Sequence, residues 1–197
     1  MELRMPTPAQ LETVYAVDLK PSFPPSELKP LRAIREMWEE GSYAPWCLFD
    51  GDDIAGECFL WRGRPGFVLL DYLCVSVHRR NGGLGALLLQ KMREQEPDAV
   101  ILAETEAPVH APDPDMARRR LDFYLRNGAK IAAYDTEIFG AHYQTLYWSE
   151  RPVEEQRILG EHRFIYENRF SPAQYARHIH IPRDPDAGPP VQVAWEE

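Results

Sequence analysis

Apolar positions along this chain switch repeatedly between two spacings. Short apolar runs rich in aromatic and β-branched residues mark strands at Met1–Met5, Tyr43–Phe49, Ile54–Trp61 and Phe67–Val77. Between the first two lies helical spacing. Thr7 is placed to cap a helix with Pro8 in its first turn, and Pro21-Ser22-Phe23-Pro24-Pro25 breaks it. Ser26 is expected to cap a second helix ending near Gly41, with Leu28, Leu31, Ile34, Met37 and Trp38 as its apolar stripe. Asp50-Gly51-Asp52-Asp53 reads as the turn of a hairpin. A helix follows Gly85 to about Gln95, then a strand at Ala99–Glu104. Asp113 or Asp115 can cap the next helix, which Gly128 ends, and strands follow at Lys130–Tyr134 and Tyr143–Trp148. Glu154–Phe170 reads as helix, and Ser171-Pro172 opens a shorter one. This alternation predicts an α/β fold with helices on both faces of a sheet.

The segment from Leu70 to Met92 carries the first chemistry. An apolar strand runs into His78-Arg79-Arg80-Asn81-Gly82-Gly83-Leu84-Gly85, and a helix starts there. Free backbone N–H groups and the helix dipole make such a junction an anion site. Glycine lets a phosphate approach the backbone, and arginine adds charge-assisted contacts. The nucleotide-hydrolase loop needs Lys-Ser or Lys-Thr after its glycines, and none follows here. The dinucleotide fingerprint needs a third glycine where Leu88 stands.

The remaining pattern, Arg80-x-x-Gly83-x-Gly85-Ala86 after Val75-Ser76-Val77, resembles the acyl-coenzyme A pyrophosphate loop of the GNAT acyltransferase superfamily. Phe123-Tyr124-Leu125-Arg126-Asn127-Gly128-Ala129 resembles a second segment of that superfamily, with Ala129 in place of its usual larger residue. The resemblance covers residues 1–150. It implies a GNAT fold with a splayed central sheet, acetyl-CoA as acyl donor and an amine as acceptor. It places the coenzyme against Leu73, Cys74 and Val75 and against Arg80, Asn81, Gly82, Gly83, Leu84, Gly85 and Ala86.

Transfer to an amine sets three demands. At pH 7 only about a thousandth of an alkyl ammonium of pKa ~10.4 is neutral, so a carboxylate or water chain must take its proton. By resemblance Glu104 is the candidate base, with Asp71 as the other option. A backbone N–H near Cys74 or Val75 can hold the oxyanion. The leaving thiolate needs an acid, which the resemblance assigns to Tyr124. Glu106 points the same way as Glu104 and can bind a cationic acceptor. Phe23, in the loop between the first two helices, and His110 are expected beside the acceptor. The competing reading is a non-catalytic coenzyme A-binding or regulatory module.

Composition adds bounds. The 197 residues suit residues 1–150 as one acyltransferase domain, 151–182 as a helical extension and 183–197 as a Pro-rich, mobile tail. A net charge of −9 argues against nucleic acid as partner. Cys47, Cys58 and Cys74 lie in apolar stretches and read as reduced core thiols of a cytoplasmic protein. No apolar run suits a membrane span. His162, His178 and His180 lack partners at metal-ligand spacing and are expected to form a surface cluster, so no metal is expected. A homodimer is left open.

Overall fold

A computed structural model describes residues 1–191 and Val193. Two compact units emerge, one from Met1–Arg62 with Leu70–Pro97, the other from Gly63–Leu69 with the described residues from Asp98 to Val193.

In the first unit, β1 (Glu2–Arg4), β2 (Tyr43–Asp50), β3 (Asp53–Arg62) and the main part of β4 (Phe67–Val75) lie in chain order. β1 and β3 both run antiparallel to β2. The β2–β3 hairpin closes with Asp50 opposite Asp53. Thr7 caps α1 (Pro8–Val14) through a reciprocal box with Gln10. The helix does not stop at Pro21. It continues through a π-helical stretch, Tyr15–Leu19, and a last turn, Lys20–Ser22. The break falls at Phe23, whose backbone is extended immediately before Pro24.

The second helix, α2 (Leu31–Glu39), begins later than expected, after Pro30. Ser26 is no cap; its hydroxyl is buried without a hydrogen-bond partner. Lys29 precedes a proline, which disfavours helical geometry at that residue and sets the boundary. α3 (Leu84–Gln95) buries Leu88, Leu89 and Met92. It lies so close to β3 that a Cβ on Gly56 would sit 2.7 Å from the Cys74 carbonyl oxygen and 2.9 Å from Leu88 Cδ1.

In the second unit the strand order is β5 (Val100–Glu106), β7 (Ala141–Trp148), β6 (Lys130–Ile138), β8 (Ile179–His180), with antiparallel neighbours throughout. The later strand β7 inserts between β5 and β6. Asp113 caps α4 (Pro114–Arg126) by accepting from the Met116 N–H, and Gly128 adopts a positive φ just past its end. The extension supplies α5 (Glu155–Glu167) and α6 (Pro172–His178), the latter with a Ser171–Gln174 capping box. It also supplies β8, which no apolar pattern announced.

Arg183, at the start of the Pro-rich tail, is buried. Its N–H donates to the Asp135 carbonyl at 2.7 Å and its guanidinium meets Glu137 at 3.1 Å. Trp195 of the expected tail lies outside the described residues. Among the described residues, no helix is long and apolar enough to cross a membrane.

Gly56→Ala should lower stability by about 1–3 kcal/mol through overpacking of α3 on β3. Urea unfolding of the purified chain measures this, and an unchanged midpoint would contradict the packing described.

Candidate active site

The anion loop lies in the first unit. After β4 the chain makes a short 3₁₀ turn, Val77–Arg79, then passes through Asn81 at φ +67° and Gly83 at φ +77°. Gly83 is the N-cap of α3, and no side chain caps that helix. A Cβ on Gly83 would meet nothing within 4 Å, so backbone conformation, not space, calls for glycine there. The result is an uncapped helix N-terminus on an exposed, glycine-lined turn.

Both arginines are already engaged within the protein. Arg79 Nη1 donates to Asp50 at 2.9 Å, tying the loop to the β2–β3 hairpin. Arg80 Nε donates to the Val75 carbonyl at 3.1 Å and its Nη2 to Ser22 Oγ at 3.1 Å. Arg80 thus fastens the loop to the end of β4 and to the first helix. Its side chain stays exposed, so its charge remains at the loop surface.

Leu73 and Val75 are half-exposed on β4, and Cys74 points the other way into the core. Cys74 Sγ lies 3.4 Å from Ser22 Oγ. Burial, with Glu57 nearby, pushes its thiol up to about 12, so it is a protonated core group and no nucleophile. Burial likewise pushes Cys47 and Cys58 upward. Glu57 on β3 has both carboxylate oxygens buried without hydrogen-bond partners. Burial, with Asp18 nearby, raises its carboxyl well above the ordinary range.

Asp71 is closed off as a free base. Its Oδ1 meets Lys29 Nζ at 2.6 Å, and the Tyr43 hydroxyl donates to Oδ2. The Lys29 ammonium also lies 4.6 Å from the Trp61 ring centre. Tyr72 accepts from the Lys29 N–H and donates to the Glu27 carbonyl, each at 2.8 Å, pinning the loop between the helices. Phe23 packs edge-on against Tyr72 at 5.0 Å. An open groove of about 560 Å³ along the first two helices is lined by Glu12, Tyr15, Ala16, Lys20, Pro30, Leu31 and Arg32. It shares no residue with the loop.

The remaining candidates lie in the second unit. Glu104 is not a solvated strand-end carboxylate. Its Oε2 accepts from the Tyr166 hydroxyl at 2.7 Å and its Oε1 from Thr136 at 3.1 Å. His162 Nε2 stands 3.1 Å from Oε1, an ion-pair separation in which the ring N–H is not aimed for a hydrogen bond. The Tyr134 hydroxyl holds the other ring nitrogen at 3.1 Å. Burial alone would raise the Glu104 carboxyl, yet the adjacent His162 ring, with the hydroxyls of Tyr166 and Thr136, holds it below the ordinary value.

The histidines are therefore no surface cluster. His162 is fully buried, and His178 is buried and stacked on Phe139 at 5.0 Å. His180 alone of the three is exposed. Among the described residues, no group of three or more His, Cys, Asp or Glu can hold a metal ion.

Tyr124, on α4, is half-buried between Phe123 and Trp148, with ring centres 5.3 and 5.9 Å away. Desolvation of its hydroxyl, opposed by Arg120 one turn earlier, pushes it up to about 12. Glu106 meets Arg120 at 2.6 Å. His110, half-exposed, contacts His142, which contacts Asp135, each at 2.8 Å. Sequence reading had named neither His142 nor Asp135. Only the β6–β7 pairing brings them together.

No family model matches the chain. "Putative acetyltransferase YjbC" of Bacillus subtilis (strain 168) is 29% identical over 153 residues, 74% of this chain and 76% of that protein. A solved structure described as "Putative acetyltransferase from GNAT family from Bacteroides thetaiotaomicron" superposes with a TM-score of 0.67 at 23% identity, covering 83% of this chain and 95% of that one. A Bacillus subtilis acetyltransferase solved in complex with CoA gives 0.55 at 18%, covering 76% and 97%. The chain shares the fold of these acetyltransferase structures, one of them described as a member of the GNAT family.

Two stability effects follow. His162→Ala removes the buried ring that stands 3.1 Å from Glu104 Oε1 and should cost about 1–3 kcal/mol, read from urea unfolding. Because Glu104 is depressed when folded, its contribution is present above the ordinary carboxylate value of 4.5 and is lost as pH falls through the lower folded value. Acid unfolding of wild type against Glu104→Gln checks the sign.

Glu57 has the opposite sense. Its raised folded value makes stability decline as pH rises above 4.5. Glu57→Gln should therefore raise the unfolding midpoint at pH 7 more than at pH 4. An equal shift at both pH values would contradict the raised carboxyl of Glu57.

Proposed function

We propose that the chain is an N-acyltransferase that moves an acetyl group from acetyl-CoA to a small amine. The observation that carries this is the loop Arg80–Ala86. Positive φ at Asn81 and Gly83 leaves the N-terminus of α3 uncapped and turned to solvent, which is what a pyrophosphate requires. The fold shared with a CoA-bound acetyltransferase supports the same ligand.

Acetyl-CoA supplies the activated acyl group. In this reading the loop N–H groups hold the pyrophosphate, and exposed Arg80 adds positive charge while its bonds to Val75 and Ser22 keep the loop in shape. A backbone N–H near Cys74 or Val75 faces the developing oxyanion. Tyr124, held protonated at all working pH values, donates to the departing sulfur. Glu106, ion-paired with Arg120, is available to a cationic acceptor if that pair opens. The competing module reading, binding without transfer, draws its support from Glu104, whose oxygens are already taken.

Calorimetric titration with acetyl-CoA tests the ligand. Micromolar binding is expected. Gly83→Asp, which sets a carboxylate at the helix N-terminus, should weaken it about tenfold or more, ~1.4 kcal/mol or above. Tyr124→Phe should leave binding unchanged while slowing thiol release from an acetyl-CoA and amine mixture by about 10²-fold. Binding without any thiol release across a broad amine panel would favour the module.

A further inference from the structure

Glu104 is poorly placed to meet an acceptor. Three side chains hold it, and it is largely withdrawn from water. A second set of titratable groups in the same unit has the opposite character. Asp135 on β6 accepts from His142 Nε2 at 2.8 Å. His142 Nδ1 lies 2.8 Å from His110 Nδ1. His142 is buried, and His110, just beyond the end of β5, is half-exposed. The Ala107 N–H donates to the His142 carbonyl at 2.8 Å, which fixes the His110 segment beside β7.

The hydrogen-bond order follows from the chemistry of imidazole. A carboxylate can only accept, so His142 Nε2 carries a proton. In neutral His142, Nδ1 is then the acceptor, and His110 Nδ1 must be the donor. That leaves the lone pair of His110 on Nε2, at the half-exposed end of the chain.

We propose that Asp135, His142 and His110 form a proton relay, and that His110 Nε2 is the base that receives the acceptor amine's proton. The proposal rests on the acyltransferase reading above. The amine N–H bond breaks and an N–H bond forms at His110 Nε2. The Nδ1 proton of His110 passes to His142 Nδ1. The positive charge comes to rest on His142, paired with the Asp135 carboxylate. The same steps run backward when His110 releases the proton to water.

The surrounding charges are otherwise matched. Glu137, opposite His142 in the strand register, is paired with Arg183. Glu106, beside the relay on β5, is paired with Arg120. The Arg183 N–H occupies the Asp135 main-chain carbonyl, leaving the carboxylate to His142.

The test has two independent arms on the full-length chain. In the first, ¹⁵N spectroscopy of the histidine rings at alkaline pH should find His110 with its proton on Nδ1 and a bare Nε2. Asp135→Asn should alter the titration of both histidines together. A His110 proton on Nε2, or titrations indifferent to Asp135→Asn, overturns the relay whatever the protein's activity.

In the second arm, thiol release is followed with acetyl-CoA and a panel of a diamine, an aminoglycoside and a peptide with N-terminal alanine. His110→Gln should lower kcat by about 10²-fold, flatten the acidic limb of the pH profile and leave acetyl-CoA affinity within about twofold. Added imidazole should restore part of the rate. Asp135→Asn should act in the same direction. A wild-type rate and pH profile in His110→Gln overturns the role of His110. Failure of the wild-type chain to bind acetyl-CoA overturns the acyltransferase reading and, with it, the assignment of an amine proton to His110.

Discussion

A carboxylate withdrawn from water loses its hydration at a cost of several kcal/mol, and the surrounding protein must replace it with donors or cations. Each compact unit is arranged around that demand. In the first, Asp71 is met by Lys29 and Tyr43, and the Lys29 ammonium rests against the Trp61 ring. Because Lys29 lies between the first two helices and Asp71 on β4, the pair fixes that connection on the sheet. In the second unit, Glu104 on β5 is met by Thr136 from β6 and by His162 and Tyr166 from α5. The extension helix is thereby joined to the sheet by polar contacts as well as by its buried Ile158 and Ile165. Removing either partner leaves an uncompensated charge, which is why these pairs constrain placement more than an apolar contact of equal area.

The anion loop obeys the same logic in reverse. Arg80 is exposed and Arg79 half-exposed, so they face little desolvation demand and are free to serve structure. Arg79 reaches the hairpin acids, and Arg80 reaches the Val75 carbonyl. What the loop leaves unsatisfied are backbone N–H groups at an uncapped helix start. A phosphate would meet a preformed set of dipoles that need no side-chain reordering. Such a site binds through geometry already fixed by Asn81 and Gly83, at little entropic cost.

Much of this was readable from local pattern. Thr7, Asp113, Ser171 and Gly128 announced their helix ends because capping depends on residues within a few positions. The β2–β3 hairpin was legible for the same reason. Ser26 misled because it looks like a cap, yet the Lys29-Pro30 step sets the boundary instead. The partners of Glu104 were invisible for a different reason. His162 and Tyr166 stand four apart on one helical face, a hint that they share a target. Nothing local says that the target is a strand more than fifty residues earlier. Likewise, β8 is too short to show a pattern and exists because β6 offers it an edge.

Three carboxylates illustrate how environment, not residue type, assigns chemistry. Glu57 has no hydrogen-bond partner for either oxygen, so burial raises its carboxyl well above the ordinary range and opposes its ionisation. Glu104 has its donors in place and stays ionised, but those same donors occupy its lone pairs and bar a substrate from them. Asp135 stands between these extremes. It is partly exposed, and its side-chain partner His142 is an imidazole that can itself pass a proton onward. A base must be ionisable, connected and reachable at once. Of the three, only Asp135 meets the first two conditions, and His110, at the half-exposed end of its chain, supplies the third.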